Sequence, residues 1–287
     1  DARLDVSSPA LTPADLMRLW PVRVRPGTRQ WFAENLTDGQ LTDLTAGWRL
    51  HPGRAAQLAL GFAFHNGAVR FMPNLPPITG GAGYATLAED AFVLRLDRGQ
   101  VLAAQGGAVD VGGSVLQIPN VRVKNAPMVL DLTSDSTITA ALSVLDQPPF
   151  AYMTKAKLPV TLADGRAVAQ AHVELPLKKP LTGAEVAFGA TARLSRVRSR
   201  TLVPNRTLAG TDLDLTVDRT GMQISGRASL DGVPVSGMFT QTFGRSPPPS
   251  KVQGRITLSP QALDAFNIAL PPGAVTGSGP GDITLTL

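Results

Sequence analysis

Over most of this chain apolar residues recur at every second position. Leu58, Leu60, Phe62 and Phe64 alternate with Ala59, Gly61 and Ala63. Phe92, Leu94 and Leu96 stand against Val93, Arg95 and Asp97, and Met128, Leu130 and Leu132 repeat the pattern before a run of Ser, Thr and Asp. Val173, Leu175 and Leu177 continue it, followed by Val186, Phe188, Ala190, Ala192 and Leu194. Leu213, Leu215 and Val217 alternate with Asp212, Asp214, Thr216 and Asp218. Successive side chains on a strand point to opposite sides, so each segment predicts a strand with one oily and one wet face. Turn signals separate them: Asn66-Gly67, suited to a type I′ hairpin, then Asp164-Gly165, Asp231-Gly232 and the proline-rich loop Ser246 to Ser250. Ile283, Leu285 and Leu287 predict a last strand.

Three segments break this period. In the first forty residues, Thr12-Pro13-Ala14-Asp15 offers a hydroxyl N-cap, a proline at the first helical position and an acid in the first turn, ahead of Leu16, Met17, Leu19 and Trp20. That helix is expected to stop at Pro21. A second one starts near Pro26, carries Trp31, Phe32 and Leu36, and ends at Asp38-Gly39. Thr137 to Leu145 reads as a short helix closed by Pro148 and Pro149, and Ser259-Pro260 begins another through Leu263 and Phe266. The expected organisation is a helical segment over 1–40, a first β-unit over 41–149 ending in a short helix, and a second β-unit over 150–287. The expected fold is mainly β, an elongated, curled antiparallel sheet with a few short helices.

Composition agrees with many short strands and tight turns: 43% hydrophobic, 5% aromatic and 17% charged, with 28 Gly and 24 Pro. The absence of cysteine removes disulfides, thiolate metal sites and a cysteine nucleophile. The net charge of +5 comes from Arg scattered along the strands rather than clustered with aromatics, which argues against nucleic acid. The densest run, Arg193, Arg196, Arg198, Arg200 and Arg206, reads as a solvated strand end and loop, with anionic lipid headgroups as the functional alternative. The chain opens at Asp1 without a leader and has no apolar stretch long enough to span a bilayer; it is read as a piece of a longer protein.

Chemistry-bearing constellations are not found. His51, His65 and His172 lack partners at recognisable spacing, no histidine–carboxylate motif has metal-ligand spacing, and no nucleophile elbow is present. Gly80-Gly81-Ala82-Gly83 lacks the Lys of a phosphate loop and reads as a turn or bulge. Asp212, Asp214 and Asp218 are read as the wet side of a strand. No catalytic residue, metal or cofactor is expected, and the chain is expected not to be an enzyme.

Leu19-Trp20-Pro21 followed by Arg29-Gln30-Trp31-Phe32-Ala33-Glu34-Asn35-Leu36 and Asp38-Gly39 resembles the opening of the conserved domain in YhdP-type members of the AsmA-like superfamily, relatives of TamB. Phe62 to Pro77, Ala140 to Pro149 and Leu175-Pro176-Leu177 add to the resemblance, which is most specific over the first 180 residues. It implies a periplasmic protein anchored in the inner membrane of a Gram-negative bacterium. Such a protein is built as a curled β-groove with an apolar channel, has no catalytic residues, and moves phospholipid between the inner and outer membranes.

The leading expectation is therefore a lipid-holding or lipid-conducting groove lined by Leu60, Phe62, Phe64, Phe92, Leu94, Val186, Phe188, Leu194, Leu213 and Leu215. Its partners are phospholipid or another acyl-chain lipid, and a membrane reached through parts of the protein outside this chain. For each of these residues the plain alternative is the core of a closed sandwich. The runner-up function is an envelope scaffold or outer-membrane assembly factor that pairs its sheet edge with a client strand; an extracellular β-sandwich enzyme is third.

Overall fold

The computed structural model describes residues 1–53, 55–178, 180–203, 205–244, 246–265, 271 and 276–286. Its strands are β1 (Ala2–Leu11), β2 (Leu36–Leu50), β3 (Gln57–Val69), β4 (Ile78–Ala88), β5 (Ala91–Leu102), β6 (Ala108–Asp110), β7 (Ser114–Ile118), β8 (Pro127–Thr137), β9 (Asp164–Pro176), β10 (Ala187–Ser199), β11 (Leu208–Asp218), β12 (Gly221–Leu230), β13 (Val233–Thr242), β14 (Lys251–Leu258) and β15 (Gly279–Thr286). The helices are α1 (Pro13–Leu19), α2 (Pro26–Asn35), α3 (Ile138–Leu145), α4 (Tyr152–Ala156) and α5 (Pro260–Ala265).

All fifteen strands form one antiparallel sheet in which neighbours in sequence are neighbours in space, except that β7 pairs with β5 and β8 beside the short β6. At about 4.8 Å per strand the sheet runs roughly 60 Å along its hydrogen-bonding direction. Among the described residues β1 and β15 each have a single neighbour, so the sheet is open at both edges. It also runs unbroken across residue 149: β8 and β9 pair from Pro127↔Pro176 to Thr137↔Arg166.

The alternation of strand directions puts every α-helix at one rim. α1 and α2 link β1 to β2, α3 and α4 link β8 to β9, and α5 links β14 to β15, all at the same strand ends. At α1 the local reason is the one the sequence offered. Thr12 Oγ1 accepts the Asp15 amide at 3.2 Å while the Asp15 carboxylate accepts from Thr12, closing a capping box on α1. Thr137 Oγ1 accepts the Ala140 amide at 3.0 Å to start α3.

Several expectations need correction. The N-terminal segment is helical only from Pro13 to Asn35: Ala2–Leu11 is a strand, and β2 already starts at Leu36. The short helix α4 was not anticipated. Asn66-Gly67 is not a hairpin turn. β3 runs through it to Val69, and the reversal falls in the loop before Ile78. Asn66 has φ +53 and the register slips on either side of Gly67, which makes the pair a β-bulge. Asp231-Gly232, with φ +50 and +86, is the tight turn that the dipeptide predicts. The Phe266 and Leu287 placements lie outside the described residues.

Bulges recur across the sheet, most of them close to the helix-bearing ends of the strands. Asp43 in β2, Asn66 in β3, Gly80 in β4 and Arg196 in β10 all take positive φ where the ladders slip, and β11 slips between Gly210 and Asp212. An extra residue on one strand bends it and increases its twist, so the series curls the sheet toward the helix-bearing rim. Most of the buried side chains lie toward that rim. Ala140 and Val144 of α3 pack with Leu96, Val101, Val109 and Val111. Ile138 and Leu142 pack with Ala163, Ala167 and Val197.

Away from this rim, where α5 also packs Ala262 against Val233 and Ile256, the described residues form no second layer. The accessible surface is 17838 Å², against roughly 11,700 Å² for a compact monomer of this mass. An excess of that sign is what an extended sheet without a full second layer gives.

Candidate functional site

Directly paired residues in antiparallel strands share a face, so the register decides whether the oily sides line up. They do. One row runs Phe62, Ala85, Leu94, Leu116, Leu130, Val173, Phe188 from β3 to β10. A parallel row toward the loop-bearing rim runs Val6, Ala46, Leu60, Leu87, Phe92, Ile118. On the far half, Ala169, Ala192, Leu215, Ile224, Phe239, Val252 and Leu285 cross seven strands without a polar residue. Next to them lie Leu194 and Leu213. β10 carries Phe188, Ala190, Ala192 and Leu194 in alternation and so joins the two halves into one surface.

The structure thus brings nine of the ten expected lining residues onto one face. Val186 is the exception: it follows a single turn of 3₁₀ helix (Gly183–Glu185), donates its amide to Gly183 O, and precedes the β10 ladder by one residue. All ten are half-buried, neither sealed nor bare. Toward the sheet edges the same face is more open still, with Leu4 58%, Val6 46% and Leu285 50% exposed. A closed sandwich core would bury these side chains almost completely. Leu87, Leu116, Ile118, Ile224, Phe239 and Val252 belong to the surface too. Sequence reading missed them because β4 opens on a glycine-rich run, β7 is very short, and β12 to β14 set their apolar residues among Gly, Ser, Thr and Gln.

The helices leave most of this face uncovered. End to end they come to roughly 50 Å of rod about 10 Å across, against a sheet about 60 Å wide, and they sit at one rim only. α3 is the one helix bedded between two core clusters on the inner face. The groove is therefore packed near the helix-bearing rim and unpacked toward the opposite one.

The other face is wet. Arg193 reaches Asp214 at 3.8 Å and Arg255 reaches Asp282 at 3.1 Å, each across a direct strand pair, and Arg166 forms a bidentate pair with Asp135. The Arg166 guanidinium holds the Asp135 carboxyl below its ordinary range. Asp212 and Asp214 are exposed there, and the Asp218 carboxylate accepts the amides of Thr220 and Gly221 in the β11–β12 turn. Arg196, Arg198 and Arg200 are exposed and Arg206 bonds Asp231.

None of the three histidines builds a reactive constellation. His65 stands exposed on β3, His51 Nδ1 lies 3.1 Å from Asp1, and His172 bridges two carboxylates. Its Nδ1 is 2.7 Å from Asp131 and its Nε2 is 3.2 Å from Glu174, so both ring nitrogens are engaged. Among the described residues no group of three or more His, Asp or Glu is placed to hold a metal ion, and no helix is long and apolar enough to cross a membrane.

The two carboxylates hold the His172 pKa above its ordinary value, Asp131 more than Glu174. A raised folded-state pKa means that the ion pairs contribute fully below about pH 6.5 and are lost as pH rises through the folded value. A proton NMR titration should give His172 a midpoint above that of a free histidine, with Asp131→Asn moving it back. A midpoint at or below the free value would contradict the pairing.

Comparison with known protein families, with curated proteins and with solved structures finds no match to this chain.

Proposed function

We propose that this chain is a phospholipid-holding groove segment of a cell-envelope protein and carries out no chemical reaction. The observation that carries the reading is the continuous apolar surface across the open sheet, half-buried from Leu60 through Phe188 to Val252 and exposed at Val6 and Leu285. An acyl chain needs only such a lining: each methylene removed from water contributes about 0.8 kcal/mol, without any directional hydrogen bond. The opposite face, laced with Arg–Asp pairs, keeps the sheet soluble from behind. In keeping with the resemblance to YhdP-type sequences, we assign it to the periplasm, as part of a protein anchored in the inner membrane, passing phospholipid toward the outer membrane.

Organic extraction of the purified chain followed by mass spectrometry tests this. At least one phospholipid per chain is expected, and a chain that emerges lipid-free from lipid-containing lysate would count against the reading.

One observation favours a second function, an envelope scaffold: the edges of β1 and β15, unpaired among the described residues, can add a client strand. A scaffold of that kind would retain its edge partner and carry no lipid.

A further inference from the structure

The linker between α1 and α2 forms a projecting tip whose apolar side chains have nowhere to pack. Leu19 is 66% exposed, Val22 70% and Val24 49%. Such exposure in a floppy loop means little, but this one is fastened. The Val24 amide donates to Pro21 O at 2.9 Å, and Trp20 Nε1 donates to Val24 O at 2.7 Å. The Arg29 guanidinium reaches back to Trp20 O at 3.1 Å and Met17 O at 2.8 Å, locking α2 against the end of α1. Trp20 and Phe32 meet behind the tip with ring centroids 5.8 Å apart. The apolar residues are thus held outward at little further entropic cost on binding.

Charge says what fits them. Residues 16–33 contain Arg18, Arg23, Arg25 and Arg29 and no Asp or Glu. Arg18, Arg23 and Arg25 are exposed; Arg18 lies 3.8 Å from Asp15, and neither Arg23 nor Arg25 has a carboxylate partner among the described residues. Trp31, exposed on α2, adds an amphipathic ring of the kind that favours a membrane–water boundary. Projecting valines and leucine interleaved with unpaired arginines match one surface in both respects: anionic headgroups over an apolar interior.

We infer that the α1–α2 tip docks this chain on an anionic phospholipid bilayer, with Leu19, Val22 and Val24 entering the headgroup boundary and Arg23 and Arg25 contacting phosphate. The inference stands on the tip alone and does not depend on what the groove holds. It does orient the molecule, because the tip lies at the same rim as the other helices.

The test is cosedimentation of the whole chain with phosphatidylglycerol-rich vesicles and with phosphatidylcholine vesicles. Binding to the anionic vesicles is expected, weakening in high salt, with about a fivefold loss for each arginine neutralised. Arg23→Glu/Arg25→Glu and Val22→Asp should each abolish it. These side chains are exposed, so melting temperature should not move, and the extractable lipid of the chain should be unchanged, which separates this test from that of the groove. Wild-type chain that ignores anionic vesicles would overturn the proposal, as would variants that bind as well as wild type. A dimer dissolved by Val22→Asp would assign the tip to a second copy of the chain and overturn it equally.

Discussion

Replacing Phe188 with Asp is expected to strip phospholipid from the chain and leave its sheet folded. Phe188 sits where the two halves of the apolar face meet, opposite Val173 and beside Ala190. It is half-buried, so the phenyl ring contributes only part of the roughly 1.5–3 kcal/mol that full burial would bring. Its loss should cost stability about 1–2 kcal/mol, a melting shift of a few degrees. For a bound acyl chain the change is far worse. A carboxylate in the lining must either lose its water, at several kcal/mol, or keep it and interrupt the apolar contact. Against about 0.8 kcal/mol per methylene, that removes the contribution of several carbons, and extractable lipid should fall more than about tenfold. Phe62→Asp should behave alike, since Phe62 lies on the same row. Global unfolding of both variants would identify the face as a closed core.

The same substitution beneath α3 should do the opposite. Val101 is 4% exposed in the cluster with Leu96, Val109, Val111 and Ala140. Val101→Asp puts a charge where neither water nor a cationic partner reaches it, a class of change that costs about 4 kcal/mol or more. That is a large part of the roughly 5–15 kcal/mol by which domains are stable. Loss of cooperative melting, or failure to recover soluble chain, is the expected result. A Val101→Asp chain that melts like wild type would show that α3 does not pin the inner face. The contrast between Phe188 and Val101 is the physical content of a groove packed at one rim and open at the other.

Much of this was legible in the sequence, and the failures have reasons. Period-two alternation identified β3, β5, β8, β10 and β11 and their oily sides, because a strand wet on one face and apolar on the other must alternate. The hydroxyl cap at Thr12 with Pro13 located α1, and the proline pair at Pro148 and Pro149 located the end of α3, signals that need only local sequence. Asn66-Gly67 misled because its signal is conformational. The dipeptide tolerates positive φ, and a bulge inside a long strand asks for that as much as a hairpin does. β1 was missed because Ala2–Leu11 pairs with β2 across two intervening helices and alternates only weakly. What the sequence could not give was register. Whether oily sides of separate strands meet depends on bulges and pairings that are fixed only when the sheet assembles. The tip at Val22 was overlooked for a related reason: the arginines were weighed by their density along the chain, whereas the missing acids over residues 16–33 and the outward valines matter only once α1 and α2 fold together.

Solvent access to the lining is the most direct measure of whether the apolar face is open. The chain has no cysteine, so Leu60→Cys, Phe188→Cys and Leu215→Cys each introduce a single thiol whose reaction with a water-soluble maleimide reports exposure. In lipid-free chain they should react at rates near that of Thr191→Cys on the wet face, and added phospholipid should slow the three lining thiols while leaving Thr191→Cys unaffected. Lining thiols as unreactive as Val101→Cys, with or without lipid, would contradict an open groove.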